Sequence, residues 1–227
     1  MSGWGTSVPA MTEPTYLSST RTSYNTVAVD YAELLPDLTA DKALGRAMLA
    51  TFAELVLADG GGQVGDLGCG TGRVTAHLHS LGVDVFGIDL SREMITVARH
   101  RYPDLRFDEG RLAELDLKDN SLVGAVAWYS IIHTPPALLP PVFAEFARVL
   151  APGGHLLLAF QMGDNELRHI TQGYGHTVSL DAYRLSPEYI TEQLKTAGLV
   201  TTAQLVRQPE APEVTPQAYL LARKPEL

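Results

Sequence analysis

The chain has 227 residues, with 17 Lys and Arg against 26 Asp and Glu, for a formal charge of -9. Hydrophobic residues make up 45% and charged residues 19%, the balance of a folded chain of one α/β domain rather than a disordered one. The acidic excess argues against dedicated binding to nucleic-acid backbone or to anionic membranes, and the single cysteine, Cys69, leaves no intrachain disulfide. The sequence has no apolar run of about 18 residues and does not begin with a basic stretch followed by an apolar one. The expectation is a cytoplasmic protein whose partner is a small molecule, with no nucleic acid and no membrane.

Residues 1–19 are rich in Ser, Thr, Gly and Pro and read as a flexible tail. Tyr24, Val27, Ala28, Tyr31 and Leu34 then share one helical face, which predicts a helix over about 23–35, stopped by Pro36. A second helix is expected over about 39–58, capped by Thr39 or Asp41, with Leu44, Met48, Phe52, Leu55 and Val56 inward. Asp59-Gly60-Gly61-Gly62 breaks the chain.

From there strands and helices alternate. Strands are expected at 63–67, 83–88, 105–109, 122–128 and 155–161, and helices at 72–81, 92–101 and 140–150. The strand over 122–128 is apolar on both faces, as a central parallel strand is. Ala151-Pro152-Gly153-Gly154 ends the last of these helices. The βα repeat implies a doubly wound, mostly parallel sheet with helices on both faces. Residues 163–186 are polar and aromatic without strong period. A helix over 187–197 and two strands, 201–207 and 217–223, follow. The link between those strands is too short for a parallel crossover, so they are expected to pair antiparallel.

The sharpest motif is Gly65-Asp66-Leu67-Gly68-Cys69-Gly70-Thr71-Gly72-Arg73, where a strand ends, glycines alternate and a helix begins. Such glycines let a ligand approach the backbone and leave helix N–H groups facing it. Gly87-Ile88-Asp89-Leu90-Ser91 closes the next strand, about 20 residues on, where a carboxylate accepts ribose hydroxyls. Ser91 suits the cap of the following helix. Among the seven histidines, His133 follows the fourth strand of the alternation. His169 and His176 fall in the unpatterned 163–186 stretch.

Together these stretches resemble the class I S-adenosylmethionine-dependent methyltransferases of the small-molecule type, whose first motif is acidic-x-G-x-G-x-G. Arg73 stands where the dinucleotide pattern needs a further glycine. Gly87-x-Asp89-x-Ser91 with Met94 on the next helix, and Arg148-Val149-Leu150-x-Pro152-Gly153-Gly154, match the family as well. The resemblance implies a Rossmann-like fold, a seven-stranded mostly parallel sheet with an antiparallel last strand, and S-adenosylmethionine as cofactor. It implies cofactor binding by Asp66, Gly68, Cys69, Gly70, Gly72, Asp89, Leu90, Met94, Leu112 and Tyr129. Arg111 stands where an acidic contact to adenine is usual, so adenine relies on the Leu112 N–H, on apolar packing or on Glu114. The stretch from Tyr24 to Tyr31 resembles the family's opening helix, so residues 20–58 are expected to form a cofactor lid, with Tyr24 in the cofactor site and Arg21 reaching the cofactor carboxylate. Residues 163–186 are expected to cap the substrate pocket.

The strand-four tip faces the methyl group in this family. His133 is therefore expected to act as catalytic base and, with Tyr31 and His176, to contact the substrate. Ile132, Tyr174 and Tyr183 complete an aromatic and polar pocket suited to a small organic molecule. No metal site is read. Two alternatives are a fold member that binds the adenosyl cofactor without methylating, and an NAD(P)-dependent oxidoreductase.

Overall fold

The computed structural model describes residues 13–35, 37 and 42–226. Its strands are β1 Gln63–Leu67, β2 Asp84–Asp89, β3 Phe107–Glu109, β4 Leu122–Trp128, β5 Leu150–Gln161, β6 Glu166–Gly173, β7 His176–Arg184, β8 Val200–Arg207 and β9 Gln217–Arg223. The helices are α1 Thr15–Leu34, α2 Ala43–Ala58, α3 Arg73–Ser80, α4 Arg92–Arg101, α5 Leu139–Val149 and α6 Pro187–Thr196. Among the described residues no helix is long and apolar enough to cross a membrane.

Seven strands form one sheet in the order β3-β2-β1-β4-β5-β9-β8. Every pairing from β3 to β5 is parallel, and β9 runs antiparallel to both β5 and β8. The strand order reverses between β1 and β4, so a crevice opens beyond their carboxyl ends. The glycine loop leaves β1 there, and Tyr129 leaves β4 there.

Strand alternation sorts the core onto two faces. Ala125 and Ala127 of β4 pack with Val142, Phe143, Phe146 and Val149 of α5. Val126 and Trp128 face the other way, onto Leu49, Phe52 and Val56 of α2. A Cβ on Gly124 would stand 2.9 Å from the Phe52 ring, so the missing side chain lets α2 press on the sheet. The two helix faces are close-packed layers, and truncating a buried Phe there costs about 3–5 kcal/mol.

Two expectations change. The stretch 15–19, expected as tail, is the first turn and more of α1. The buried positions that follow, Thr20 and Ser23, are small and polar, so apolar spacing does not reveal this part of the helix. The expected Pro36 stop and the Thr39 and Asp41 caps lie outside the described residues, as do residues 1–12 of the expected tail. The stretch 163–186 is a two-stranded hairpin, β6–β7, separate from the main sheet. Tyr174 (φ 52°) and Gly175 (φ 82°) form its two-residue turn with the positive φ angles that suit hairpin twist. Solvent on one side of the hairpin leaves only Leu180 and Ala182 fully buried, which hides the strand alternation in the sequence.

Candidate active site

A cavity of about 890 Å³ lies over the carboxyl ends of β1, β2 and β4, covered by α1 and the β6–β7 hairpin. α1 is fastened on two sides. Toward α4, Asn25 Oδ1 accepts from Ser91 Oγ at 2.7 Å, and Arg101 donates to the Ala32 carbonyl at 2.9 Å. Toward the hairpin, Ser23 Oγ donates to the Ser179 carbonyl at 3.1 Å and His176 Nε2 meets Asp30 Oδ2 at 2.6 Å. α2 contributes no side chain to the cavity wall, so among the expected lid elements only α1 borders it.

At one end stand Gly68, Gly70 and Asp89. Gly68 (φ 84°) approaches β4 so closely that an added Cβ would lie 2.2 Å from the Ser130 Cβ. A Cβ on Gly70 (φ 54°) would meet open space. The loop amides do not point freely at a ligand, as the motif alone suggests. Gly68 and Cys69 donate to the Ile88 carbonyl at 2.7 and 2.9 Å, and Gly72 donates to the Cys69 carbonyl at 3.0 Å. Gly70 N–H donates to Asp89 Oδ2 at 2.8 Å, and Ser91 N–H donates to Asp89 Oδ1 at 2.8 Å. Asp89 thus ties the loop to the head of α4. Each of its oxygens keeps a further lone pair for a ligand hydroxyl. Burial raises its pKa. A carboxylate with spare lone pairs beside an open glycine fits the ribose and amino-acid portions of an adenosyl ligand.

At the other end, a 3-10 turn over Ile131–His133 carries His133 into the wall. Its Nε2 lies 2.7 Å from Tyr24 Oη and its Nδ1 lies 2.8 Å from the Asp181 carbonyl. Burial lowers the pKa of His133 and raises that of Tyr24 well above its usual value. Tyr129 at the β4 tip has φ 56°, a conformation costly for an aromatic residue and concentrated at functional sites. Its hydroxyl faces Tyr219 Oη at 3.4 Å, on which Arg207 also converges at 3.3 Å.

The cavity thus joins Arg21, Tyr24, Tyr31, Gly68, Gly70, Asp89, Leu90, Met94, Leu112, Tyr129 and His133 from the predicted set. Asp66, Cys69, Gly72, His176 and Tyr183 do not line it. Cys69 packs with Ile95, Ala98 and Phe107 under the loop, and burial pushes its thiol up. A Cβ on Gly72 would stand 2.7 Å from the Phe107 ring. His176 is taken up by Asp30. Arg21, expected at the cofactor carboxylate, forks onto Glu13 at 2.5 and 2.6 Å and reaches the Leu90 carbonyl at 3.4 Å. Arg111 pairs with Glu114, and both line the wall beside Leu112. Sequence reasoning missed Asn25 and Asp181. Asn25 gives no signal beyond its place on α1, and Asp181 contributes only a backbone carbonyl.

Asp66 lies wholly buried beneath the loop and accepts from Thr75 Oγ1 at 2.6 Å, while its Oδ1 has no partner among the described residues. Burial, reinforced by the Asp89 charge, pushes its carboxyl up to about 7. A folded pKa above the unfolded value of about 3.9 contributes stability that is complete below that value and is lost as pH rises through the folded pKa. Asp66→Asn is therefore expected to remove part of a stability decline between pH 4 and 7, on the order of a few kcal/mol at most. Urea unfolding across that range checks this. Identical slopes in wild type and variant would mean that Asp66 stays ionised in the fold.

A family described as "Methyltransferase domain" matches residues 64–154. An uncharacterized methyltransferase of Mycobacterium bovis is 31% identical over 161 residues, covering 70% of this chain and 61% of that protein. The chain thus spans about three-fifths of that relative's length. A demethylmenaquinone methyltransferase of Beutenbergia cavernae is 35% identical over 99 residues, 44% of this chain and 40% of that protein. In fold, the chain matches a Burkholderia thailandensis 1,6-didemethyltoxoflavin-N1-methyltransferase with bound 1,6-didemethyltoxoflavin and S-adenosylhomocysteine. That match has TM-score 0.70 at 20% identity and covers 97% and 93% of the two chains. With the glycine loop, the Asp89 strand tip and the sheet order, these matches place residues 64–154 in the methyltransferase-domain family.

Proposed function

We propose that this chain binds S-adenosylmethionine and transfers its methyl group to a small organic acceptor by in-line displacement. The observation that carries the reading is one cavity running from Gly70 and Asp89 to Tyr24 and His133. Cofactor and acceptor would thus share a single water-excluding chamber. Asp89 would hold the ribose hydroxyls, with Gly68 and Gly70 at the amino-acid portion and Leu90, Met94 and Leu112 around the adenine. Tyr129 and His133 would border the reacting centre, and Tyr31 the acceptor. α1 would act as the lid.

When bound, the cofactor supplies a methyl group already activated on a sulfonium. The protein's work is then alignment, exclusion of water and removal of a proton. His133 is the imidazole in the cavity wall, and its lowered pKa keeps it neutral and able to take a proton at neutral pH.

The test pairs calorimetry with a transfer assay. S-adenosylhomocysteine is expected to bind the purified protein, and donor labelled on the methyl group is expected to label one member of a panel of small acceptors. Binding without any transfer would point to the non-methylating alternative. Absence of binding would remove the reading.

A further inference from the structure

The partners of His133 fix its tautomer. The Asp181 carbonyl only accepts, so Nδ1, 2.8 Å away, carries the proton. In the neutral ring Nε2 is then a bare lone pair, and the Tyr24 hydroxyl 2.7 Å away donates to it. The Nε2 position where a base would meet its acceptor is already filled. What the dyad offers the cavity is Tyr24 Oη, which donates to Nε2 and keeps its own lone pairs.

Charge in the wall is divided unevenly. Its charged side chains are Glu13, Arg21, Asp89, Arg111 and Glu114. Glu13 is paired with Arg21, Glu114 with Arg111, and Asp89 with two backbone amides. All of them cluster where Leu90 and Gly110 border the Asp89 end. Around Tyr24 the wall is Tyr31, Ile132, Tyr174, Val178 and Leu180. Tyr31 and Tyr174 stand 4.8 Å apart between ring centroids, and Tyr24 meets Tyr31 edge-on at 6.4 Å. A carboxylate or phosphate would be desolvated there with no cation in that part of the wall, which is costly. Arg73, whose charge reaches Tyr174, lies outside the wall and donates to the Asp37 carbonyl at 3.0 Å. Flat apolar rings match tyrosine faces and edges.

We propose that the acceptor is an uncharged aromatic molecule bearing an ionisable hydroxyl, and that Tyr24 is the catalytic residue that receives its proton while passing its own to His133 Nε2. The inference rests on the methyl-transfer reading. The acceptor's O–H bond breaks as its proton moves to Tyr24 Oη, and Tyr24's own proton moves to Nε2, leaving an imidazolium. The acceptor oxygen's electron pair forms the O–CH₃ bond, and the electrons of the broken S–CH₃ bond stay on sulfur, which becomes a neutral thioether. A neutral amine attacks with its own lone pair and needs no proton removed beforehand, so a proton path ending on a hydroxyl is of most use to an O–H acceptor. His133 acts through Tyr24 and is a positioning residue and proton sink.

The experiment uses the protein loaded with S-adenosylhomocysteine and labelled with ¹⁵N-histidine. It is titrated separately with 1-naphthol, 1-naphthoate and 1-naphthylamine, for wild type and Tyr24→Phe. Both proteins are expected to show the same far-UV circular dichroism and to be saturable with S-adenosylhomocysteine, which shows the variant folded. 1-Naphthol is expected to bind wild type and to move the His133 Nε2 resonance, while 1-naphthoate does not bind. In Tyr24→Phe the naphthol affinity is expected to fall roughly 3–10-fold, the worth of one hydrogen bond, with Nε2 no longer responding. The proposal is overturned if naphthol fails to bind loaded wild type or if naphthoate binds as tightly. It is equally overturned if naphthylamine moves Nε2 as far as naphthol does, or if the Nε2 response survives in Tyr24→Phe. Failure of wild type to bind S-adenosylhomocysteine overturns the methyl-transfer reading instead.

Discussion

His133→Ala is expected to lower methyl transfer by about 10²–10⁴-fold, the usual worth of proton-transfer assistance, while leaving S-adenosylhomocysteine affinity within a few-fold of wild type. The substitution removes the proton sink and leaves the Tyr24 hydroxyl without the ring nitrogen it faces at 2.7 Å. The Asp89 end of the cavity is built from β2, α4 and the glycine loop, while the hydrogen bonds of His133 run to Tyr24 of α1 and Asp181 of the hairpin. Burial shifts His133 downward, and only the neutral ring accepts a proton. The wild-type rate should therefore rise with pH through a midpoint below about 6.5 and stay level above it. Single-turnover rates across pH 5–8 check this. A rate loss in the alanine variant with the wild-type pH limb intact would assign the limb to another group. No loss at all would leave His133 as loop structure.

Asp89→Ala is expected to weaken binding of S-adenosylhomocysteine by about one to two orders of magnitude, since a hydrogen bond to a charged group is worth roughly 1.5–3 kcal/mol. The structure adds a second reason. Asp89 also receives the Gly70 and Ser91 amides at 2.8 Å each, so alanine frees the loop as well as the ribose. Asp89→Asn separates the two. Its amide oxygen still accepts one of those backbone bonds, while its NH₂ faces a donor, so it should fall between wild type and alanine. Calorimetry reads all three, and equal affinities would take Asp89 out of the site.

Much of the fold is legible in the chain because its signals are local. Strand β4 is apolar on both faces, and the glycines end β1 where the helix must begin. The Asp119-Asn120-Ser121 turn precedes β4, and Arg148-Val149-Leu150 closes α5. The expected boundaries of β1, β4, α4 and β9 match the observed ones. What stays hidden depends on contacts distant in sequence. The start of α1 buries Thr20 and Ser23, whose polarity masks a covered face. The hairpin buries few side chains and forms no part of the main sheet. At the site, the sequence identifies His133 and Tyr24 as separate candidates. Their pairing is set by a helix, a 3-10 turn and a hairpin strand converging from positions 24, 133 and 181. Cys69 and Gly72 sit within the right motif, yet Cys69 packs beneath the loop with Ile95, Ala98 and Phe107, and Gly72 abuts the Phe107 ring.

One chamber is expected to hold the adenosyl group at Asp89 and to present its sulfur toward Tyr24 and His133. The most direct measurement is a crystal structure of the protein grown with S-adenosylhomocysteine. The expected density has the ribose hydroxyls on the Asp89 carboxylate, the amino-acid portion against Gly68 and Gly70, and the thioether sulfur facing the Tyr24–His133 end. Density for the ligand at another site, or a bound ligand that leaves Asp89 on its two backbone amides alone, would contradict it.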